Sequence, residues 1–314
     1  MNEVIIPAAG AALAEADPVS EALYVKWLAY IDVRPKSAET YKKASRQLVS
    51  YFQDHGITHP RREDLITWRD DLLQDHKAST VQLYLTAAKL FFQWTEQEGL
   101  YPNIAAHIKA PKITKDFKKD YLSSRQAKRI LATMPQETEA DLRNYAIIAL
   151  MLTTGLRDVE VSRANIEDLR VAGDNTVLFI QGKGRDEKAE LVKVEGPVED
   201  AIRDYLRTRP AAEDQDPLFT STSNNSKGQR ISTRTVSSIA KRAMQAAGYD
   251  SDRLTAHSLR HTAGTLALLN GAELPQVQQL LRHKNINTTM IYSHILDRAA
   301  NDAEARITKA LFSH

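Results

Sequence analysis

Residues 254–271 read LTAHSLRHTAGTLALLNG, and this stretch decides the fold of the second half of the chain. Thr255 is a good N-cap, and the apolar residues after it recur at helical spacing. The apolar side of this helix carries Leu259, Leu266 and Leu269. His257 and Arg260 are three positions apart, so their side chains share a helix face and can bind one small anion. The stretch therefore predicts an amphipathic helix with a cationic face.

Two other interpretations of this helix stay open. His261 is four residues from His257, which is the spacing of a metal-binding pair. No Glu follows the first His as in a metalloprotease helix, and no third ligand is evident, so we predict no metal. In the second interpretation His257 only caps the helix and Arg260 makes a surface salt bridge.

The tail of the chain supplies a second set of polar residues. Residues 281–296 read LRHKNINTTMIYSHIL and place His283 nine residues before Tyr292. Asn287, Thr288 and Thr289 are good helix-start residues, so we expect Tyr292 in the first turns of a helix. A lone tyrosine in a helix normally belongs to a core or an interface.

Two more basic residues lie upstream. In TTGLRDVEV, residues 153–161, Arg157 follows a glycine that ends or bends an apolar helix, and Glu160 is placed to hold its guanidinium. Lys183 stands between two glycines at the tip of a predicted β-hairpin, where a lysine usually only improves solubility.

Length and composition limit the number of domains, the class of protein and the chemistry that its side chains are able to perform. The 314 residues predict two domains, and 42% hydrophobic with 26% charged residues is typical of a globular protein. No stretch approaches eighteen uncharged apolar residues, so we predict no membrane span. The absence of cysteine excludes disulfides, Cys-ligated zinc, iron–sulfur clusters and thiol nucleophiles. Residues 112–314 hold 30 of the 42 basic side chains against 26 acids, which makes the second part the positive part.

Helical periodicity organises the first third of the chain. Residues 1–17 are rich in alanine and lack a basic n-region, so we predict a flexible N-terminal extension rather than a secretory signal, with a partner-binding segment as the alternative. Residues 18–108 predict four amphipathic helices, the fourth capped by Ser79 or Thr80. Residues 109–119 form a basic linker, which is either a solvated connector or a strap that neutralises DNA phosphates. Its lysines are Lys109, Lys112, Lys115, Lys118 and Lys119.

The remaining residues, 120–314, predict a mixed domain. Helical patterns begin near Ser124 and cover 145–153, and β-like runs at 176–181 and 189–194 flank the hairpin tip. Helical periodicity then resumes from 198 and continues, with breaks, to the end. The predicted fold is mainly α with a small β-sheet.

Six of the polar residues described above occur in an order that points to one protein family. Two Arg, one Lys, two His and one Tyr follow one another as Arg157, Lys183, His257, Arg260, His283 and Tyr292. With GLRDVE, HSLRH, LRH and YSH around them, this order resembles the tyrosine recombinase (phage integrase) family from about Ser20 to the end. The short N-terminal region is similar to compact Xer-like or mobile-element recombinases. The resemblance implies an N-terminal SAM-like helical core-binding domain and an α+β catalytic domain.

The resemblance also implies a chemistry for six residues. Tyr292 is the expected nucleophile, which forms a 3′-phosphotyrosyl link and leaves a free 5′-hydroxyl. Arg157 and Arg260 are expected to grip the nonbridging oxygens, and Lys183 to be the general acid. The resemblance gives His257 a role in proton transfer or phosphate contact and His283 a hydrogen bond to phosphate. It makes Glu160 a supporting residue and requires no cofactor, ATP or metal.

Partners and alternatives follow from the same resemblance. It implies a double-stranded DNA recombination site, a monomer in solution, and a homotetramer on synapsed DNA joined by a C-terminal helix that docks on the next protomer. An accessory or partner recombinase, and a place in the bacterial cytoplasm at the nucleoid, are further expectations. The alternatives are a type IB topoisomerase and a non-catalytic DNA-binding protein.

Two charges depart from the family pattern. Arg282 stands where glycine commonly precedes the histidine, and Asp158 follows the first arginine. We expect these two side chains either to alter DNA contact or to be solvated.

Overall fold

The computed structural model describes residues 19–113, 120–182, 187–283, 285–290 and 303–312. The chain divides into two compact units, Met1–Asp116 and Phe117–His314. Both are helical, and the second also contains a small three-stranded sheet, which confirms the predicted fold class. No helix in the described part of the chain is long and apolar enough to cross a membrane.

Four helices build the first unit. They are α1 (Glu21–Tyr30), α2 (Pro35–Asp54), α3 (Arg62–Asp75) and α4 (Ala78–Gln97). The four predicted helices are thus present, but the predicted cap of α4 is wrong. Lys77 is its N-cap, because the Lys77 carbonyl already accepts a hydrogen bond from the Thr80 N–H at 2.8 Å.

Aromatic side chains fill the core of this unit. Trp27 and Trp68 are almost completely buried, and the Tyr24 ring stacks on Phe91 with ring centroids 3.9 Å apart. Buried aromatic residues contribute large apolar areas, so these contacts hold the four helices together.

The second unit combines eight helices with one sheet over the described residues. The helices are α5 (Ser124–Thr133), α6 (Glu139–Thr154), α7 (Asp158–Arg163), α8 (Gly196–Arg207), α9 (Thr233–Ala246), α10 (Ala256–Leu269), α11 (Leu274–Leu281) and α12 (Ala303–Phe312). Two 3₁₀ turns, Ile166–Asp168 and Ile286–Thr288, complete them. Helix α6 is buried on nearly all sides and packs against α8 and α10, as expected for a helix apolar all round.

The sheet is antiparallel, in the order β1 (Leu169–Ala172), β2 (Asn175–Ile180) and β3 (Glu190–Lys193). Val177 pairs with Lys193 and Ile180 with Glu190, which confirms the predicted pairing of the two β-like runs. The predicted tip, including Lys183, lies among residues 183–186 and therefore outside the described residues. Strand β1 was not predicted.

Gly155 makes the sharp turn that brings the functional residues together. It ends α6 with φ +61°, and an added Cβ would lie 2.6 Å from the Leu281 Cδ2 atom. Only glycine fits both the left-handed backbone and this close approach.

We expect Gly155→Ala to lower the free energy of unfolding by about 2–4 kcal/mol, because backbone strain and overpacking add together. Gly173→Ala is the matched control, since Gly173 has the same φ of +61° with nothing within 4 Å of an added Cβ. Urea unfolding of both variants measures the difference, and equal losses would contradict the close approach to Leu281.

Candidate functional site

Arg157 and Glu160 lie at the start of α7. Arg157 is the N-cap of this helix, and its backbone N–H donates to the Glu160 Oε2 atom at 2.8 Å. The Arg157 Nη1 atom donates to Glu160 Oε1 at 2.6 Å. Glu160 is fully buried whereas the Arg157 side chain is 26% exposed. The carboxylate therefore fixes a guanidinium that remains open to a ligand, as the sequence predicts.

Arg260 lies on α10 and is only 2% exposed. Its Nη1 atom donates to the Gly155 carbonyl at 2.5 Å, and its Nη2 atom donates to the Leu281 carbonyl. The interpretation of Arg260 as a surface salt-bridge residue is therefore wrong. The guanidinium instead links the turn that precedes Arg157 to the end of α11.

His283 follows the end of α11, and its Nδ1 atom is 3.0 Å from the Thr289 Oγ1 atom. Burial, as the larger cause, and the positive charges of Arg260 and Arg157 together lower the pKa of His283 from 6.5 to about 4. His261 and Arg282 act in the same direction. Arg260 binds the carbonyls of Gly155 and Leu281, which lie two residues before Arg157 and two before His283, so the two arginines and the histidine belong to one cluster with a net positive charge.

This pKa predicts a specific pH dependence. Because the native ring binds a proton at about pH 4 and the unfolded ring at about 6.5, the unfolded chain is protonated first as the pH falls. The free energy of unfolding should therefore decrease between these two values. We expect wild type to lose more stability from pH 7 to pH 5 than His283→Gln, measured by urea unfolding. A His283 ring that titrates near 6.5 in NMR spectra would contradict the prediction.

The two departures from the family pattern, Arg282 and Asp158, have partners within the protein. The Arg282 side chain is 6% exposed, and its Nη2 atom lies 3.0 Å from Glu160 Oε2. Asp158 is partly buried and accepts hydrogen bonds from the Ser237 hydroxyl at 2.9 Å and the Val159 N–H at 2.8 Å. The expectation that these charges are solvated is therefore wrong, because each has internal partners, and an effect on DNA contact stays a prediction.

Glu160 remains ionised despite its burial. Burial, the largest single influence, favours the protonated carboxyl, but the charge of Arg282 and the charge and hydrogen bonds of Arg157 together lower the pKa of Glu160 below its ordinary value. Sequence reasoning identified Glu160 and Arg157 but missed Arg282 as a partner of this carboxylate. The signal available was the unusual arginine next to His283.

The other predicted residues are not all brought into the cluster. His257 is exposed in the first turn of α10, with its ring centroid 4.9 Å from that of His261. Lys183 and Tyr292 lie outside the described residues. No group of three or more His, Asp or Glu residues able to hold a metal is found among the residues that the structure describes.

The linker lysines are only partly described. The side chains of Lys109 and Lys112 are exposed, and the Lys109 carbonyl accepts a hydrogen bond from Arg69 Nη1 at 3.1 Å. Lys115, Lys118 and Lys119 lie outside the described residues. The choice between a connector and a phosphate-binding strap therefore stays a prediction.

The cluster has the chemistry of a phosphoryl site. Guanidinium groups suit phosphate oxygens because they are planar, permanently charged and able to donate two parallel hydrogen bonds. The neutral His283 ring beside them is able to donate one hydrogen bond to a phosphate oxygen. It does so without changing its own protonation state near pH 7.

Comparisons with known proteins agree with this chemistry. Residues 120–298 match the model of the phage integrase family, and residues 25–99 match that of the phage integrase, N-terminal SAM-like domain. Tyrosine recombinase XerC of Corynebacterium glutamicum is 34% identical over 228 residues, which cover 72% of this chain and 70% of that protein. Tyrosine recombinase XerC of Actinobacillus pleuropneumoniae serotype 7 is 30% identical over 286 residues, with coverages of 87% and 90%.

Solved structures share the fold. XerH site-specific recombinase bound to palindromic difH substrate matches with a TM-score of 0.69 and 21% identity over 87% of this chain and 78% of that chain. The Tn1549 transposon integrase in complex with transposon right end DNA matches with a TM-score of 0.67 and 17% identity, covering 93% and 99%. A lambda integrase tetramer bound to a Holliday junction matches with a TM-score of 0.61 and 16% identity, covering 88% and 77%.

Fold and site together define a class, that of the site-specific recombinases with a helical SAM-like domain and an integrase-type catalytic domain. Within that class, one family model matches more than half of the chain, and this match establishes the family. The chain belongs to the phage integrase family of tyrosine recombinases, and the two curated relatives named above are Xer recombinases.

Proposed function

We propose that this recombinase cuts and rejoins DNA at a specific site through a 3′-phosphotyrosyl intermediate and a Holliday junction. Its biological task is integration and excision of a mobile element, or resolution of DNA dimers. The observation that carries the proposal is that Arg260 binds the carbonyls of Gly155 and Leu281 and thereby joins the segment of Arg157 to the segment of His283 in one cationic cluster. Such a cluster is complementary to the charge that develops on a phosphorus atom under attack.

The proposed reaction uses the chain's own side chains. The Tyr292 hydroxyl attacks phosphorus, the bond from phosphorus to the 5′-oxygen breaks, and Lys183 gives that oxygen its proton. Arg157 and Arg260 stabilise the nonbridging oxygens, His283 donates to one of them, and exposed His257 assists proton transfer by accepting the proton that the Tyr292 hydroxyl loses. A 5′-hydroxyl from a second strand then reverses the step. The phosphotyrosyl link retains the energy of the broken bond, so rejoining needs no ATP, metal or cofactor.

The rest of the chain is assigned to DNA binding and assembly. Residues 18–108 form the core-binding domain, 109–119 the phosphate-binding linker, and 120–314 the catalytic domain. Exposed Lys109 and Lys112 support the linker's contact with phosphates. We place the protein in the bacterial cytoplasm at the nucleoid, with a partner recombinase or accessory factor as a further possible component.

Helix α12 is proposed to join protomers on DNA. Ile307, Leu311 and Phe312 are 58%, 70% and 75% exposed, which is unusual for large apolar side chains on one short helix. A helix packed on its own domain would bury them. We therefore propose that α12 docks on a neighbouring protomer, so that a monomer in solution becomes a tetramer on synapsed DNA.

Deletion of residues 300–314 is expected to weaken synapsis and covalent cleavage more than binding to a single site. Gel-shift assays separate these steps, because monomer–DNA and synaptic complexes migrate differently. Leu311→Ser with Phe312→Ser gives a milder test in which chain length is unchanged. Unchanged recombination by the truncated protein would rule out this role for α12.

The function is tested by trapping protein–DNA adducts in expressing cells and sequencing the covalent junctions. A recombinase should give junctions that recur at one short sequence. Supercoil relaxation with junctions spread over many sequences would instead indicate a type IB topoisomerase. Binding without any adduct would indicate a non-catalytic DNA-binding protein.

A further inference from the structure

Arg282 makes contacts that the proposed reaction does not use. Arg282 follows the last residue of α11, and its backbone has a left-handed conformation with φ 51° and ψ 45°. Residues other than glycine and asparagine rarely adopt this conformation. Its guanidinium is turned inward, where its Nη1 atom donates to the Leu280 carbonyl at 2.7 Å. A strained backbone that buries a charge persists only where the surrounding contacts hold it in place.

These contacts join two chain segments of the site. Arg282 Nη2 reaches Glu160 Oε2 at 3.0 Å and the Gly155 carbonyl at 3.4 Å, and both acceptors flank Arg157. The residue after Arg282 in the chain is His283. The side chain thus connects the segment that carries Arg157 to the segment that carries His283.

Besides connecting the two segments, Arg282 changes the net charge around Glu160. Glu160 carries one negative charge and contacts two guanidinium groups, those of Arg157 and Arg282. If Arg157 were its only partner, the pair would be neutral, and a neutral pair attracts phosphate weakly. Because Arg282 compensates the carboxylate as well, the three groups together keep one positive charge beside the site.

We propose that Arg282 is a positioning residue of the recombinase: through Glu160 and the Gly155 carbonyl it fixes Arg157 relative to His283 and preserves the positive charge of Arg157 for the DNA phosphate. The role of Arg157 in this statement rests on the proposed function. The contacts of Arg282 do not.

The first test needs no DNA. We expect the Nε–H order parameter of Arg157, measured by NMR relaxation, to decrease in Arg282→Gly. Glycine suits the left-handed conformation at least as well as arginine, so this variant should fold. Arg253→Gly is the matched control, because it removes an arginine that is 61% exposed in a turn. An unchanged order parameter of Arg157 in folded Arg282→Gly would overturn the proposal.

The second test measures single-turnover adduct formation on a nicked DNA that carries the site mapped from the covalent junctions. We expect Arg282→Gly to slow the covalent step roughly 10- to 100-fold with little change in DNA affinity, since a small misplacement of a binding group has costs of this size. Arg282→Lys should recover part of the rate. The double variant Arg282→Gly with Glu160→Gln should lose clearly less than the product of the two single losses, because both changes act on the same carboxylate and only the contact with the Gly155 carbonyl is independent of it.

Three results of the second test would contradict the proposal. They are a wild-type rate in Arg282→Gly, multiplicative losses in the double variant, and a loss of affinity as large as the loss of rate. A wild-type protein that forms no adduct would instead contradict the proposed function, and the NMR measurement would still decide the role of Arg282.

Discussion

The Tyr292→Phe substitution is expected to abolish covalent attachment to DNA while leaving binding to the same DNA intact. Phenylalanine keeps the ring and its packing but removes the only hydroxyl that the proposal assigns to attack on phosphorus. Loss of the nucleophile itself removes the covalent route, so the rate of adduct formation should fall more than about 10⁴-fold. Gel electrophoresis in SDS detects the adduct.

The control for this prediction is Tyr249→Phe. Tyr249 is partly buried, its side chain packs against the core of the second unit, and the Arg129 guanidinium lies 5.9 Å from the centroid of its ring. The proposal gives its hydroxyl no chemical role, so Tyr249→Phe should form the adduct as wild type does. An adduct that persists in Tyr292→Phe would remove Tyr292 as the nucleophile.

Arg260→Lys is expected to slow the covalent step about 10²- to 10³-fold, which is the size of effect seen when one charge-stabilising donor is lost. Lysine keeps the charge but replaces a planar group of several donors by a single ammonium. In the wild-type structure the guanidinium binds the carbonyls of Gly155 and Leu281 at the same time. One ammonium is poorly suited to hold both carbonyls and also to stabilise a phosphate.

Loss of these two contacts also affects folding. A buried carbonyl left without a donor costs about 1–3 kcal/mol, so Arg260→Lys should unfold at lower urea concentration than wild type. Rates are therefore compared at a temperature where circular dichroism shows both proteins to be folded. A folded Arg260→Lys protein that forms the adduct at the wild-type rate would contradict the assignment of Arg260.

Periodicity was enough to predict much of the architecture. Most helices of both units follow from apolar residues at three- and four-residue steps, although the six-residue helix α7 was not predicted. The β2–β3 pair follows from two β-like runs around a glycine-rich tip. Strand β1 could not be predicted in this way. It has only four residues, three of them exposed, and its pairing with β2 determines its conformation.

The site was predictable as a set of residues but not as a set of contacts. Arg157 and Glu160 are three positions apart on one helix start, so their pairing follows from local geometry. Arg282 lies 122 residues from Glu160, and an arginine is ordinarily exposed. Only the tertiary structure, which brings the end of α11 beside α7, shows that this arginine is internal. The same holds for Asp158 and its partner Ser237.

The central claim is that Tyr292 becomes covalently bonded to DNA, and peptide mass spectrometry tests it most directly. Wild-type adduct is digested with nuclease and then with trypsin, which releases residues 285–298 as one peptide with Tyr292 as its only tyrosine. We predict that this peptide carries a nucleotide joined through a 3′-phosphate to Tyr292. A nucleotide on any other residue, or rejoined DNA products without any modified peptide, would contradict it.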